Sequence, residues 1–286
     1  MHTTISIDGG LGRVICAIPA LEHYAKKHND LHILTPWTDV FANNPILKNI
    51  HHSDGQDTWA NVISKGEYRH IEPYQRREYY TQKAHLIDAF NLCLNNAYIQ
   101  GMPNLYLSPS ERAWAENFAR QVKNTTRKRK LVAFQPYGAT FKAGANDDTD
   151  RSLSQANAMY IANRFMTLHA DVALINCTST PFSHPNVFHQ TFTTRQLFAV
   201  VSVCDAIFAI DSVVSHIGAS FDKKGVLMLG GTHKENVGYD NYKTFIRDGY
   251  PKEYLPIRLG CPIISKNQGA MDFSQQQLDD MIRSVL

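Results

Sequence analysis

The chain has 286 residues, of which 43% are hydrophobic and 19% are charged. These proportions exclude an intrinsically disordered protein, and a formal net charge of only +3 does not require a polyanionic partner. No apolar stretch approaches the length of a transmembrane helix, and the N-terminus lacks the pattern of a secretory signal. The five cysteines are scattered without a CxxC pair, which favours a reducing compartment over a disulfide framework. We therefore expect a cytoplasmic protein.

Short apolar runs that end in turn signals recur along the chain, and continuous runs of this kind are typical of strands buried on both faces. We predict seven such strands: Thr3–Ile7, Leu31–Thr35, Leu131–Gln135, Asp171–Asn176, Asn186–Gln190, Ala206–Ile210 and Val226–Leu229. Segments with helical periodicity separate them. The alternation predicts an α/β architecture with parallel sheets.

Three helices have clear sequence signals. Apolar residues keep one face of a helix from about Gly12 to Lys27. Ser108–Glu111 combines a capping box with proline at the first helical position, and Ser274–Gln277 forms a second box near the C-terminus. The segment from about residue 52 to residue 101 is polar and has no clear assignment.

A basic, polar stretch at Lys123–Lys130 precedes a fresh strand, so we place the domain boundary there. The prediction is two doubly wound, Rossmann-like domains that face a cleft, with residues 1–126 in the first domain and 127–286 in the second. The second domain would include the C-terminal helix.

The most informative segment is the strand Ala206–Ile210 together with the helix start after it. Asp211 ends the strand, and Ser212 opens a helix that carries His216. Ligands of α/β sheets bind at the carboxyl ends of strands, and the free amides of a helix start suit a phosphate. His216 could donate to a diphosphate or a sugar. The alternative is a helix cap at Asp211 or Ser212 with a packed histidine.

This segment resembles the signature of glycosyltransferase family 9, the ADP-heptose-dependent lipopolysaccharide heptosyltransferases and their relatives, which have the GT-B fold. The resemblance rests on Asp211, Ser212, His216 and Ala219 after the "CDAIFAI" lead-in. Phe192–Leu197 looks like the family's threonine-led helix before that strand. The resemblance extends to both halves of the chain and covers about three quarters of it.

Several further segments match family motifs. Gly230, Gly231 and Thr232 look like the Gly-Pro-Thr loop near the donor phosphates, and Gln135–Ala139 looks like the Pro-Gly-Ala opening of the second domain. Lys142 would correspond to the phosphate-binding lysine, and we expect Arg151 beside it at the phosphates, with surface charge as the alternative for both.

Gly9–Leu21 matches the family's Leu-Gly-Asp segment in spacing. In GT-B enzymes this glycine turn lets the acceptor or the sugar approach the backbone at Gly9, Gly10 and Gly12. The turn lacks the full GxGxxG pattern, so alone it does not separate a dehydrogenase from a transferase.

The chain departs from the family at Arg13, where the family has an aspartate that is proposed as the general base. Arginine stays protonated at any working pH and cannot accept the acceptor's proton. Arg13 would either bind phosphate on the donor or acceptor, or be a solvated surface residue. Asp8, at the end of the first strand, becomes the first candidate base, with a cap of the glycine loop as the alternative. His85 and His70 are weaker candidates.

The resemblance implies an inverting transfer of a sugar from a nucleoside-diphosphate sugar to a hydroxyl acceptor, without a metal cofactor. The loop Asn146–Asp150 lacks EF-hand spacing and agrees with that expectation. A bacterial surface glycan of the lipopolysaccharide type is the favoured acceptor. Two alternatives stay open: a phage-type enzyme that glycosylates hydroxymethylated bases in DNA, and a non-catalytic sugar-nucleotide-binding protein.

The DNA alternative draws on the segments Tyr68–His70 and Tyr74–Tyr80, which interleave aromatic and basic residues that could stack on bases and hold phosphates. An amphipathic surface helix is the favoured interpretation of the same pattern.

Overall fold

The structure is a computed structural model that describes residues 2–138, 151–249, 269 and 271–286. Lys142, Ala139 and the loop Asn146–Asp150 lie outside these residues. The chain divides into two compact units, Met1–Ser108 and Pro109–Leu286. Over the described residues, no helix combines the length and the apolar character that crossing a bilayer requires.

The first unit is built on a parallel sheet whose order is β3-β2-β1-β4. Its strands are β1 (Thr3–Ser6), β2 (Leu31–Thr35), β3 (Asn49–His52) and β4 (Glu67–His70). Its helices are α1 (Leu11–Ala25), α2 (Thr58–Asn61), α3 (Arg77–Tyr80) and α4 (Leu86–Asn95). Helices α1 and α4 pack against each other. The order reverses between β1 and β4, and this is where ligands of open α/β sheets bind.

The second unit has a six-stranded parallel sheet in the order β10-β9-β8-β5-β6-β7. Its strands are β5 (Lys130–Gln135), β6 (Val172–Asn176), β7 (Val187–His189), β8 (Ala206–Ile210), β9 (Lys224–Leu229) and β10 (Tyr242–Ile246). Counted within the unit, this is the Rossmann order 3-2-1-4-5-6, with its switch point between β5 and β8.

The helices of the second unit cover this sheet. They are α5 (Pro109–Thr126), α6 (Gln155–Leu168), α7 (Thr194–Val203), α8 (Val213–Ser220), α9 (Lys234–Val237) and α10 (Gln275–Arg283). Strands β5, β6, β8 and β9 are almost fully buried, as their continuous apolar runs predict. The core is rich in phenylalanine, with Phe134, Phe165 and Phe208 fully buried.

The structure confirms the α/β class, and all seven predicted strands are present within one or two residues. Of the four edge strands in the described residues, β3, β4 and β10 escaped prediction, whereas β7 was predicted. An edge strand has one unpaired, accessible side, so polar residues interrupt its sequence. The capping box predicted at Ser274 is formed.

Two expectations differ from the structure. Tyr68–Tyr80 is not one amphipathic helix: it contains β4, a short 3₁₀ turn at Pro73–Gln75 and α3. A boundary between residues 126 and 127 would place helix α5 in the first domain. In the structure, α5 belongs to the second compact unit. It packs along α7, and Glu111 on α5 forms a bidentate ion pair with Arg195 on α7, at 2.7 and 2.8 Å.

Candidate functional site

Polar side chains gather at the switch point of the second sheet. The side chain of Gln135, at the end of β5, accepts a hydrogen bond from the amide of Val214 at 3.0 Å. Val214 lies in the first turn of α8, whose N-terminal amides have no partner within the helix. Ser212 is the N-cap of this helix and makes no side-chain cap hydrogen bond. Gln135 thus anchors the start of α8 to the neighbouring strand.

Asp211 joins the loops that follow β8 and β9. Its side chain is buried, and its Oδ2 accepts a hydrogen bond from the hydroxyl of Thr232 at 2.6 Å. The loop of Gly231 and Thr232 follows β9 directly. This hydrogen bond holds the two loops together, and contact of Asp211 with a donor stays a prediction. The structure brings Asp211, Ser212, Gly231 and Thr232 to one edge of the sheet, and their binding of a donor stays a prediction.

His216 lies inside α8 and is buried, with 4% of its surface exposed. Its Nδ1 shares a hydrogen bond of 2.8 Å with the hydroxyl of Tyr239. Tyr239 follows α9 and is also buried. This arrangement is the packed histidine of the alternative interpretation, and the direct contact of His216 with a donor stays a prediction.

Helix α8 also approaches its sheet closely. A Cβ added at Gly218 would lie 2.7 Å from the Tyr242 hydroxyl and 2.8 Å from the Cγ2 of Ile207. The Tyr242 hydroxyl donates to the carbonyl of Ser215 at 2.6 Å. Gly218 therefore allows α8 to pack closely against Ile207 of β8 and Tyr242 of β10. In the same unit, burial raises the pKa of Tyr137 to about 12, so this phenol is neutral at physiological pH.

The other predicted donor residues are less informative. Arg151 is partly exposed at the beginning of the described stretch that leads to α6. Its predicted partner Lys142 lies outside the described residues, so the role of both at the phosphates stays a prediction.

A second polar cluster lies at the switch point of the first sheet, where β1 and β4 end. Arg13, in the first turn of α1, has a side chain only 7% exposed, with Nη1 3.0 Å from Oδ1 of Asp8 and Nη2 3.2 Å from Oε2 of Glu72. Its Nη2 also donates to the carbonyl of Ile71 at 2.8 Å. The guanidinium carbon lies 5.1 Å from the ring centroid of Tyr74, which is a cation–π contact. Arg13 is therefore not a solvated surface residue.

The carboxylates of Asp8 and Glu72 face the single positive charge of Arg13, so the cluster has one excess negative charge when His70 is neutral. Asp8 is the accessible member, because 61% of its side chain is exposed and its Oδ2 lies 3.9 Å from Nε2 of His70. Asp8, His70 and Glu72 are close enough to bind a metal ion together. However, the guanidinium of Arg13 already supplies the cation there. Sequence reasoning missed Glu72 because it did not detect the edge strand β4.

The glycine turn fits around Arg13. Gly9 has φ +83°, and a Cβ there would lie 3.2 Å from Cδ of Arg13. Gly10 is the N-cap of α1 and has open space where a Cβ would be. Gly12 lies in the first turn of α1. His85 caps α4, and its Nδ1 accepts from the amide of Ile87 at 3.2 Å.

No protein-family model matches the sequence, and no curated protein matches it either. Solved structures do match. A glycosyl transferase family 9 structure from Veillonella parvula has a TM-score of 0.72 at 15% identity, covering 98% of this chain and 95% of that one. ADP-heptose lipopolysaccharide heptosyltransferase II from E. coli has a TM-score of 0.64 at 9% identity, covering 99% and 98%. E. coli heptosyltransferase WaaC with ADP has a TM-score of 0.54 at 10% identity, covering 85% and 92%.

These similarities extend over nearly the whole chain, and they confirm that it resembles glycosyltransferase family 9 in fold. The molecule is an α/β protein of the GT-B class with two Rossmann-like units. At 9–15% identity the similarity concerns the fold, so activity has to be argued from the residues of this chain.

Proposed function

We propose that the protein is an inverting glycosyltransferase that moves a sugar from a nucleoside-diphosphate sugar to a hydroxyl group of a surface glycan. The observation that carries the proposal is the polar cluster at the switch point of the Rossmann-ordered sheet. There the start of α8, fixed by Gln135, lies beside the loops that Asp211 and Thr232 join. Amides at a helix start stabilise a leaving diphosphate without a metal. In α8 the Val214 amide is bonded to Gln135 and the Ser215 amide to the Ser212 carbonyl, so we propose that the Val213 amide and the dipole of the helix carry this role.

The donor proposal is supported by proteins of similar fold whose names state the nucleotide or the nucleotide sugar. The heptosyltransferase WaaC was solved with ADP, and heptosyltransferase II takes ADP-heptose. We accordingly propose an ADP-sugar as the first donor to test. The expected absence of a metal cofactor and the cytoplasmic location belong to the same proposal.

On the acceptor side we propose Asp8 as the general base and Arg13 as its positioning residue. Oδ1 of Asp8 is held by Arg13, whereas the side chain as a whole is largely exposed, so Oδ2 can receive a proton from an acceptor hydroxyl. Arg13 is a poor phosphate ligand in this arrangement, because two carboxylates already neutralise its charge and little of it is exposed.

The DNA alternative loses support from the Tyr/Arg-rich segment. Tyr74 and Tyr79 are both 5% exposed and pack edge to face with each other, so neither ring is available to stack on a base, although Tyr68 and Tyr80 of the same segments are exposed. Arg76 pairs with Glu78, at 3.7 Å. We therefore retain the glycan acceptor as the proposal.

The experiment is to incubate the protein with ADP-heptose and a heptose-deficient lipopolysaccharide core and to measure ADP release, then to repeat it with UDP-, GDP- and dTDP-sugars. Release that depends on the acceptor supports the proposal, and inversion at the anomeric carbon is read from the product by NMR. Nucleotide binding without release under any pairing would instead identify a binding protein. Transfer to hydroxymethylated DNA that falls steeply with salt would identify the DNA enzyme.

A further inference from the structure

A cluster of imidazoles lies at the amino-terminal edge of the first sheet, away from the strand ends that carry Asp8 and Glu72. His2 precedes β1, Asp30 precedes β2, His32 is the second residue of β2 and His51 lies in the adjacent β3. One ligand atom each from His2, Asp30 and His32 lie within 4.8 Å of one another. The proposed transfer reaction uses none of these residues.

We propose that His2, Asp30 and His32 form a binding site for a divalent transition-metal ion such as zinc. Two histidines and one carboxylate are ligands that zinc prefers, with water as the fourth ligand. In a tetrahedral site with bonds of about 2.1 Å, neighbouring ligand atoms lie about 3.4 Å apart. Nε2 of His32 and Oδ1 of Asp30 lie 3.2 Å apart, close to that spacing.

The ring of His2 is fixed in a tautomer that can bind a metal. Its Nε2 lies 2.8 Å from the carbonyl oxygen of Val62. Because a carbonyl can only accept, Nε2 carries the proton and Nδ1 of the neutral ring keeps its lone pair. Gly66 makes room for this ring, since a Cβ there would lie 2.6 and 2.7 Å from Cδ2 and Nε2 of His2. The Nε2 edge of His2 thus faces protein, and the face of its ring stacks on that of His32 with 4.2 Å between the centroids and 27° between the planes, so the two rings would have to turn apart for both lone pairs to meet at one ion.

The ring of His32 has the outer partner that metal-binding histidines require. Its Nδ1 lies 2.9 Å from Nε2 of His51, and the two rings are stacked at 5.0 Å. A donor at Nδ1 of His32 directs the lone pair of Nε2 toward the proposed ion, and such outer partners fix the orientation of the ligating ring.

Access and charge also suit an ion. Asp30 is exposed and His2 and His32 are partly exposed, so an ion can enter from solvent. Asp30 supplies the negative charge, and the ion would replace the proton that His32 and Asp30 otherwise share. Bound metal would tie the residue before β1 to the start of β2.

The test is titration of the full chain with Zn²⁺ by calorimetry, and with Co²⁺ by visible absorption, after treatment with a chelator. The variants are Asp30→Asn and His32→Gln, with His184→Gln as the matched control: His184 is a histidine of the second unit that shares a 3.1 Å hydrogen bond with Asn163. Asp30 is exposed, so its variant reports on binding without a risk to folding.

We expect wild type and His184→Gln to bind one Zn²⁺ and to gain thermal stability from it. Loss of an outer partner costs roughly 10- to 100-fold in metal affinity, and we expect this effect for His51→Gln. Asp30→Asn and His32→Gln should lose more Zn²⁺ affinity than that. The absence of stoichiometric binding in wild type, or equal affinity in wild type and Asp30→Asn, would overturn the proposal.

Discussion

Arg13 and Asp8 form an ion pair, with 3.0 Å between Nη1 and Oδ1, and Arg13 stands where the resemblance to glycosyltransferase family 9 predicts an aspartate. The carboxylate of Asp8 thus lies after the end of β1, beside the glycine turn that leads into α1. In our account the arginine does not abolish acid–base chemistry in this unit; it positions the carboxylate that performs it.

The glycine turn gives a stability prediction with a built-in control. Gly9→Ala should destabilise the protein by about 1–2 kcal/mol, because its φ is +83° and the new Cβ would contact Arg13. Gly10 has a φ of −76° and open space where a Cβ would be, so Gly10→Ala should cost at most about 0.5 kcal/mol. Urea unfolding of both variants measures the difference, and equal costs would refute the packing of Arg13 on Gly9.

Replacing Arg13 tests the buried pairing directly. Arg13→Ala should lower the free energy of unfolding by about 1–3 kcal/mol, because the Ile71 carbonyl and two carboxylates lose their shared donor. The matched control is Arg129→Ala, whose side chain is 85% exposed and pairs with Asp171 at 3.4 Å. That change should cost at most about 1 kcal/mol. Chemical denaturation of the two variants would contradict the account if both cost the same.

The hydrogen bond between Thr232 and Asp211 can be removed almost isosterically. Thr232→Val should destabilise the protein by about 1.5–3 kcal/mol, because a buried carboxylate loses its hydroxyl donor. It should also weaken ADP binding, since the loop of Gly231 and Thr232 loses its tether. Thr167→Val is the control, because that hydroxyl donates to the carbonyl of Arg164 and accepts from Nη1 of Arg164, both within α6. If calorimetric titration gave the same ADP affinity for the two variants, the loop of Gly231 and Thr232 would not be part of the donor site.

Stability should depend on pH through His51. Its pKa in the folded protein is lowered from 6.5 by burial and by the nearby His32 and His2. Below pH 6.5 the unfolded chain therefore binds more protons than the folded one, and the free energy of unfolding falls as the pH falls. Burial also lowers the pKa of His184, so His51→Gln should reduce this fall without removing it. Urea unfolding between about pH 7.5 and about pH 5, with a chelator present, measures the effect, and an unchanged slope in the variant would count against it.

The sequence predicts the buried part of the fold better than its edges. β5, β6, β8 and β9 can be recognised because both faces are covered, and their side chains are apolar with little interruption. β4 has the sequence Glu-Tyr-Arg-His and lies at an edge, so neither periodicity nor composition marks it. Because β4 was not recognised in the sequence, Glu72 was not recognised either, although Glu72 and Asp8 together neutralise the charge of Arg13.

The site shows the same division. Asp211 and Ser212 could be placed at a strand end from the sequence, because the strand before them and the helix after them are both strongly patterned. The contacts of Asp211 with Thr232 and of Gln135 with Val214 could not, because they depend on which strands are neighbours in the sheet. Burial of His216 against Tyr239 likewise arises from packing between segments far apart in the chain.

The most direct test of the account compares Asp8→Asn with Asp54→Asn, an exposed aspartate of the same unit, in acceptor-dependent release of nucleotide from the sugar donor. Loss of a general base should lower turnover about 10²- to 10⁴-fold in Asp8→Asn, with nucleotide affinity unchanged and with Asp54→Asn as active as wild type. Wild-type turnover in Asp8→Asn would contradict the assignment of Asp8 as the base.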